Sequence, residues 1–350
     1  MGKKVYVTVN IYPHNSKIDV FREHIKYLKT IGPDAVIVAD PGVFSLIKEE
    51  YPDAKIHISV QANCINYKDV EFWFKQGAKR VVLPRELSLE EISEIHEKVP
   101  KIELEAFVHG AICVAYSGRC LMSQYMTHRD ANQGICAQSC RWKYKAYLEE
   151  EMRPGEFMPI EEDENGTYVF NARDICALPY LDNLKKAGVL GFKIEGRSKS
   201  IYYLSSVTNA YRRAIDNMQN DKPHDESLMS ELKKTANRGY SPGFLTGTFS
   251  EKDIHYEKNE PIQTHKFIGV VRNHKKIKSK LETHEIEVRN RIEKGSEVEV
   301  LTPKGSANTK IINIYDDKNN EIEVAHGGAG NKFFILEDLF PKGSFLRKKC

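Results

Sequence analysis

Four cysteines fall within 28 residues of one another: Cys113, Cys120, Cys136 and Cys140. They lie in His109-Gly110-Ala111-Ile112-Cys113, Tyr116-Ser117-Gly118-Arg119-Cys120 and Gly134-Ile135-Cys136-Ala137-Gln138-Ser139-Cys140, and a fifth follows in Arg173-Asp174-Ile175-Cys176. In a reducing compartment, thiolates gathered this way hold a metal or an iron–sulfur cluster more often than they form disulfides. Cys-x2-Cys pairs, the usual mark of structural zinc, are absent, but four cysteines suit zinc as well as a cluster, so spacing alone leaves both open. Gly110 and Gly118 let the backbone fold closely about a bound group. Cys64 reads as a buried small hydrophobe and Cys350 as a terminal residue.

Other side chains could do chemistry beside such a centre. His109 adjoins the first cysteine and could orient a substrate or relay a proton. Glu195, in Lys193-Ile194-Glu195-Gly196-Arg197, could transfer a proton or pair with Arg197. His109, Glu195 and Arg197 are therefore the candidate catalytic residues. Arg119, Arg141 and Arg173 could clamp a small carboxylate or an RNA phosphate through bidentate contacts. Tyr116, Trp142 and Tyr144 sit among Arg119, Arg141, Lys143 and Lys145. That mixture suits stacking and phosphate contact with an unpaired base, and equally suits packing around a buried cluster.

The elements that must position these residues are readable from the apolar pattern. Short β-branched runs occur at Val5–Val9, Ala35–Ala39, Ile56–Val60, Arg80–Leu83, Ile102–Val108, Tyr168–Phe170 and Gly191–Ile194. Stretches with helical spacing separate them, at Ile18–Ile31, Val43–Tyr51 and from the capping box Ser88-Leu89-Glu90-Glu91 to about His96. Strand and helix alternating at this interval imply parallel β/α units covered on both faces. Asn10, Asp40, Gln61, Arg85, His109, Asn171 and Glu195 fall at or just past strand carboxyl ends, the functional face of a (β/α) barrel. The predicted fold is thus a TIM-like (β/α) barrel over residues 1–250, with a cysteine-rich insertion at 111–165 too long for an ordinary βα loop. A helix-rich stretch covers roughly 198–236. From 262 to 350 short strands and turn signals predict a small antiparallel β-barrel, a separate domain.

Composition narrows the class. Hydrophobic residues at 41% and charged residues at 29% are ordinary for a globular chain. No apolar run approaches the roughly 18 residues of a membrane span, and the first residues lack a secretory signal. A cytoplasmic protein without a membrane partner is expected. Residues 262–350 hold 17 Lys+Arg against 12 Asp+Glu, and the rest 35 against 37, an asymmetry compatible with RNA on the C-terminal domain.

The run Glu105-Ala106-Phe107-Val108-His109-Gly110-Ala111-Ile112-Cys113 with Tyr116-Ser117-Gly118-Arg119-Cys120-Leu121-Met122-Ser123 resembles the signature of the U32 peptidase family. Val9–Asn15, Ser59–Asn63, Arg85–Ile92 and Lys193–Arg197 resemble further family blocks. Arg129-Asp130, Asn132-Gln133-Gly134, Cys140–Tyr144 and Arg238-Gly239-Tyr240 resemble the branch that hydroxylates tRNA wobble uridine to 5-hydroxyuridine in a prephenate-dependent manner. The resemblance implies a 4Fe–4S cluster, with zinc as the alternative. Its expected ligands are Cys113, Cys120 and Cys136, with Cys176 or Cys140 as the fourth. It also implies tRNA, at the anticodon, and prephenate as partners. Family members carry a further N-terminal βα segment with an Ala-Pro-Ala-Gly motif unmatched here, so the barrel is expected to be N-terminally shortened. Peptidase action, which the family name suggests, lacks a His-Glu-x-x-His motif or a Gly-x-Ser-x-Gly elbow. A non-catalytic tRNA-binding protein with a structural metal is a third reading.

Overall fold

A computed structural model describes residues 2–112, 116, 118–142, 147–149, 152, 154–155, 157–159, 173–197, 199–223, 225–247, 262–277 and 281–350; for 141, 147–149, 157–159, 277 and 281 it describes the backbone alone. The expected strand Tyr168–Phe170, Asn171 and Cys113 lie outside them. The chain divides into two compact units, residues 1–195 with 238–260 and residues 196–237 with 261–350.

The first unit is a mixed α/β structure around a largely parallel sheet. Its strands are β1 (Tyr6–Val9), β2 (Ala35–Val38), β3 (Ile56–Ile58), β4 (Arg80–Val82) and β5 (Glu103–Ala111). They pair in parallel in that order. Helices α1 (Ile18–Ile31), α2 (Pro41–Glu50), α3 (Tyr67–Gln76) and α4 (Leu89–Lys98) connect them. Each boundary has a local cause. Gly32, at φ +65°, closes α1 with its N–H on Leu28 O. Asp40 caps α2 through Val43 N ahead of Pro41. Asn66 caps α3 through Lys68 N and Asp69 N, and Ser88 with Glu91 forms the expected capping box on α4. Val38, Ile56, Ile58, Val81, Val82, Leu104 and Val108 are buried, which is why these strands carry apolar runs rather than alternation.

After β5 come the short helix α5 (Met122–Thr127) and a hairpin of β6 (Tyr147–Glu149) and β7 (Phe157–Pro159). Then follow β8 (Asp174–Cys176), α6 (Leu181–Lys186), β9 (Val189–Ile194) and β10 (Tyr240–Ser241). β9 runs parallel to β5, whereas β8 meets the last residues of β5 antiparallel, setting His109 opposite Cys176 and Gly110 opposite Ile175. β10 extends β8 in parallel. One strand pair therefore breaks the purely parallel pattern, at the end of β5 from which the cysteine segment departs.

The second unit combines α7 (Ile201–Gln219) and α8 (Ser227–Leu232) with β11 (His265–Ile277), β12 (Leu281–Val288), β13 (Ile292–Glu293), β14 (Glu297–Thr302), β15 (Gly305–Tyr315), β16 (Glu321–Ile322), β17 (Val324–Ala325), β18 (Asn331–Leu336) and β19 (Phe345–Lys349). Six strands pair antiparallel in the order β14-β19-β11-β12-β18-β15, and β15 returns to β14, closing the barrel. Ile268, Val271, Ile286, Val300, Ile311, Phe334 and Leu346 fill it. Closure leaves these six strands no unpaired edge. Among the described residues no helix is long and apolar enough to cross a membrane.

Candidate functional site

The first unit gathers polar side chains along one face of its sheet and at the strands' carboxyl ends. In the middle of the sheet, Glu105 accepts from Arg80 Nη1 at 2.7 Å and from Lys193 Nζ at 2.9 Å. Arg80 also holds Glu103. Burial pushes the Glu105 carboxyl up, but Lys193 and Arg80 together outweigh it and hold it below the usual carboxylate range. His57 packs edge-on to Tyr6, their ring centroids 4.8 Å apart. Burial, then Arg80, pushes its imidazole down to about 4, so it is neutral at physiological pH. Arg80, Glu105, Lys193 and His57 escape a reading of the sequence because each is a single polar residue inside an apolar strand.

Closer to the carboxyl ends, Phe107 carries two cations: Arg85, with its guanidinium carbon 3.7 Å from the ring centroid, and Lys193 Nζ at 5.8 Å. Arg85 forms an ion pair with Glu195. The sequence placed that pair on Arg197; the tertiary partner comes instead from the turn after β4. Glu195 N donates to His109 O at 2.9 Å. Gly110, at φ +123°, makes this approach possible, since a Cβ there would stand 2.8 Å from Glu195 Cβ. His109 itself is fully buried, its ring 5.2 Å from that of Tyr240.

The cysteine segment docks on the ends of β1 and β3. Gly118 lies against Gln61, where an added Cβ would stand 2.4 Å from the carbonyl oxygen. Gln61 O also accepts from the Tyr12 hydroxyl, and Tyr12 O accepts from Gln133 Nε2 at 2.6 Å. Burial, then Asp40, raises the Tyr12 phenol above its usual range, keeping it a donor. Asn10 Nδ2 donates to Ser59 Oγ at 3.2 Å. Of the strand-end residues, Asp40 serves as a helix cap, while Asn10, Gln61, Arg85, His109 and Glu195 build the mouth.

Within the segment, Asn132 Nδ2 donates to Cys120 O at 3.1 Å and Ala137 N to Ser123 Oγ at 2.8 Å, tying the Cys120 and Cys136 stretches to one another. Gln138 N donates to Cys136 Sγ at 3.3 Å. Cys120, Cys136 and Cys140 are half-buried, and Cys176 is buried on β8. Among the described residues no three of His, Cys, Asp and Glu converge as a metal site. Cys113 lies outside them; Cys120, Cys136 and Cys140, the described cysteines of the segment, are sulfur donors of the kind an iron–sulfur cluster or zinc takes. Arg119 is exposed, Arg173 is half-buried against Gly239, and Arg197 is exposed in the second unit. The Arg141 side chain, Tyr144, Lys143 and Lys145 lie outside the described residues. Tyr116 is 57% exposed and Trp142 47%, so neither is packed as an interior residue. Tyr125, unremarked in the sequence, is 86% exposed.

The chain is 39% identical over 365 residues to tRNA hydroxylation protein P of Escherichia coli K12, covering 93% of this chain and 80% of that one. It is 35% identical over 353 residues to tRNA hydroxylation protein P1 of Bacillus subtilis 168, covering 99% and 82%. It is 35% identical over 215 residues to the 23S rRNA 5-hydroxycytidine C2501 synthase of E. coli, covering 61% and 31%. Residues 1–255 match the model of peptidase family U32 and residues 263–347 that of the family's C-terminal domain. On these matches, spanning both units, the chain belongs to peptidase family U32.

Proposed function

We propose that this protein is an RNA-hydroxylating enzyme of the cytoplasm that converts the wobble uridine of tRNA to 5-hydroxyuridine in a prephenate-dependent manner, on a (β/α)-barrel scaffold. The observation that carries the reading is the docking of a cysteine segment with exposed aromatics over the polar mouth of the sheet. The names of the similar proteins support RNA as the substrate class. Tyr116, Tyr125 and Trp142 offer exposed rings for an unstacked base. Exposed Arg119 beside Tyr116 supplies a phosphate contact.

Cys113, Cys120 and Cys136, with Cys176 or Cys140, would hold a 4Fe–4S cluster, zinc being the alternative. Bound there, such a cluster supplies one-electron chemistry or a Lewis-acid iron. The protein's own groups bind and orient. Tyr12, Gln133 and Gln61 fix the cysteine segment over the strand ends, and His109 supports Glu195 through its carbonyl. Glu195 and Arg85 set the charge of the mouth. Peptidase action by Cys64 is disfavoured, since burial and then Asp69 push its thiol up to about 12, far from a thiolate at neutral pH.

Mass spectrometry of tRNA nucleosides tests the proposal. Deleting the gene should remove 5-hydroxyuridine and its derivatives, and this 350-residue chain should restore them. Restoration by a variant lacking Cys120 and Cys136 would sink the cysteine-dependent reading. Wobble uridines unchanged by deletion in a strain with no second such enzyme would sink the hydroxylase reading.

A further inference from the structure

At the mouth of the sheet, a guanidinium is buried far more deeply than its counter-ion. The Arg85 side chain is 10% exposed, whereas the Glu195 side chain paired with it is 42% exposed. The guanidinium carbon stands 3.7 Å from the Phe107 ring centroid. Among the described residues its Nε, also buried, has no hydrogen-bond partner. The two halves of this pair have unequal alternatives. Glu195 can turn its carboxylate into water at little loss, because its backbone stays pinned to His109 O. Arg85 cannot follow it, and a buried cation must keep an anion. An open Nε–H beside a replaceable acid is what an incoming oxyanion needs in order to bind by exchange.

We propose that Arg85 anchors a carboxylate of a small-molecule acid at this mouth, the ligand displacing Glu195, which then swings to solvent. Arg119, Arg141 and Arg173 are not needed for that contact. The identity of the acid rests on the prephenate reading above; the anchor itself does not. Displacement makes a distinctive demand: the two members of the ion pair must act on binding with opposite sign. Arg85 attracts the ligand and Glu195 competes with it.

Calorimetric titration of the intact chain with prephenate, malonate and inorganic phosphate tests this. Wild-type protein should bind at least one of the two acids. Arg85→Met should weaken that binding by at least about 30-fold, the loss expected when one partner of a buried charge contact is truncated. Arg85→Lys keeps a cation on Phe107 and guards against a folding defect; it should weaken binding less, because the fork is lost but the charge remains. Glu195→Gln should tighten binding several-fold. Unchanged affinity in Arg85→Met, or weakening by Glu195→Gln as large as that by Arg85→Met, would overturn the proposal. So would a wild-type chain that binds neither acid, or phosphate alone. Binding of malonate through Arg85 without binding of prephenate would keep the anchor and dismiss prephenate.

Discussion

Replacing Gly118 with alanine should disable the site while leaving both folded units intact. Gly118 sits at φ +77°, and its missing Cβ is the space occupied by Gln61: a methyl there would stand 2.4 Å from Gln61 O and 2.9 Å from Gln61 Cα. Both are backbone atoms, and Gln61 is held by Ser59 through its N–H and by Tyr12 at its carbonyl, so it has little freedom to retreat. Restoring an ordinary contact requires the cysteine segment to move by about 1 Å, and misplacement of that size can reduce a rate by about 100-fold. The left-handed backbone adds about 1–2 kcal/mol of local strain for alanine. Gly32→Ala is the control, since Gly32 has φ +65° but no atom within 4 Å of the added methyl. Gly118→Ala should lower tRNA hydroxylation by about 100-fold, expose residues 113–142 to limited proteolysis and lower bound iron. Gly32→Ala should lose only stability. If Gly118→Ala retained wild-type turnover and the wild-type cleavage pattern, the docking of the segment on Gln61 would not be what positions it.

Other outcomes follow from the same geometry. Arg347 is fully buried and paired with Glu231 and Glu299, so Arg347→Leu should destabilise the second unit by about 3–5 kcal/mol in urea unfolding, by leaving those two carboxylates to Lys234 alone. Burial pushes the Glu299 carboxyl up, but Arg347 and Lys234 outweigh it and bring it down to about 2 from an ordinary 4.5. A carboxyl depressed in the folded state binds its proton more readily when unfolded. Its contribution, about 3 kcal/mol at most, is therefore complete above pH 4.5 and lost as pH falls toward 2. Urea midpoints of wild type and Glu299→Gln should converge over that window, and parallel curves would refute the assignment. Trp142→Ala and Tyr125→Ala should raise KM for tRNA by about 5- to 100-fold each with no change in melting temperature, since exposed rings give stacking rather than core packing. Cys120→Ala and Cys136→Ala should each lose iron on anaerobic purification, and Cys176→Ala and Cys140→Ala in turn identify the fourth ligand; stoichiometric zinc in place of iron would exclude the cluster.

Much of the scaffold was legible in local chemistry. The apolar runs at Ala35–Val38 and Arg80–Val82, the cap at Ser88 and the termination at Gly32 depend on neighbours within a few residues, so the elements fall close to where their patterns put them. The short strands expected between 262 and 350 are present and close a barrel, but β11 and β15 run to 13 and 11 residues, longer than the apolar pattern alone suggests, because ladder pairing carries them past their buried positions. The antiparallel β8 was not read, because three residues carry no period and its partner, His109, lies 67 positions away in sequence.

The sequence by itself determined which chemistries were available: clustered thiols, a histidine at a strand end, arginines for an anion, and aromatics beside basic groups. Those are properties of side-chain type and short spacing. Which of them meet was decided only in three dimensions. Glu195 finds Arg85 across 110 positions rather than Arg197 beside it. Gly118 is required by Gln61, and Lys193 and Arg80 converge on Glu105. Burial then fixes the consequences, because the Arg85 side chain is enclosed while that of Glu195 is in part open to solvent. That inequality belongs to the packing of β4, β5 and β9 and is written in no one segment of the chain.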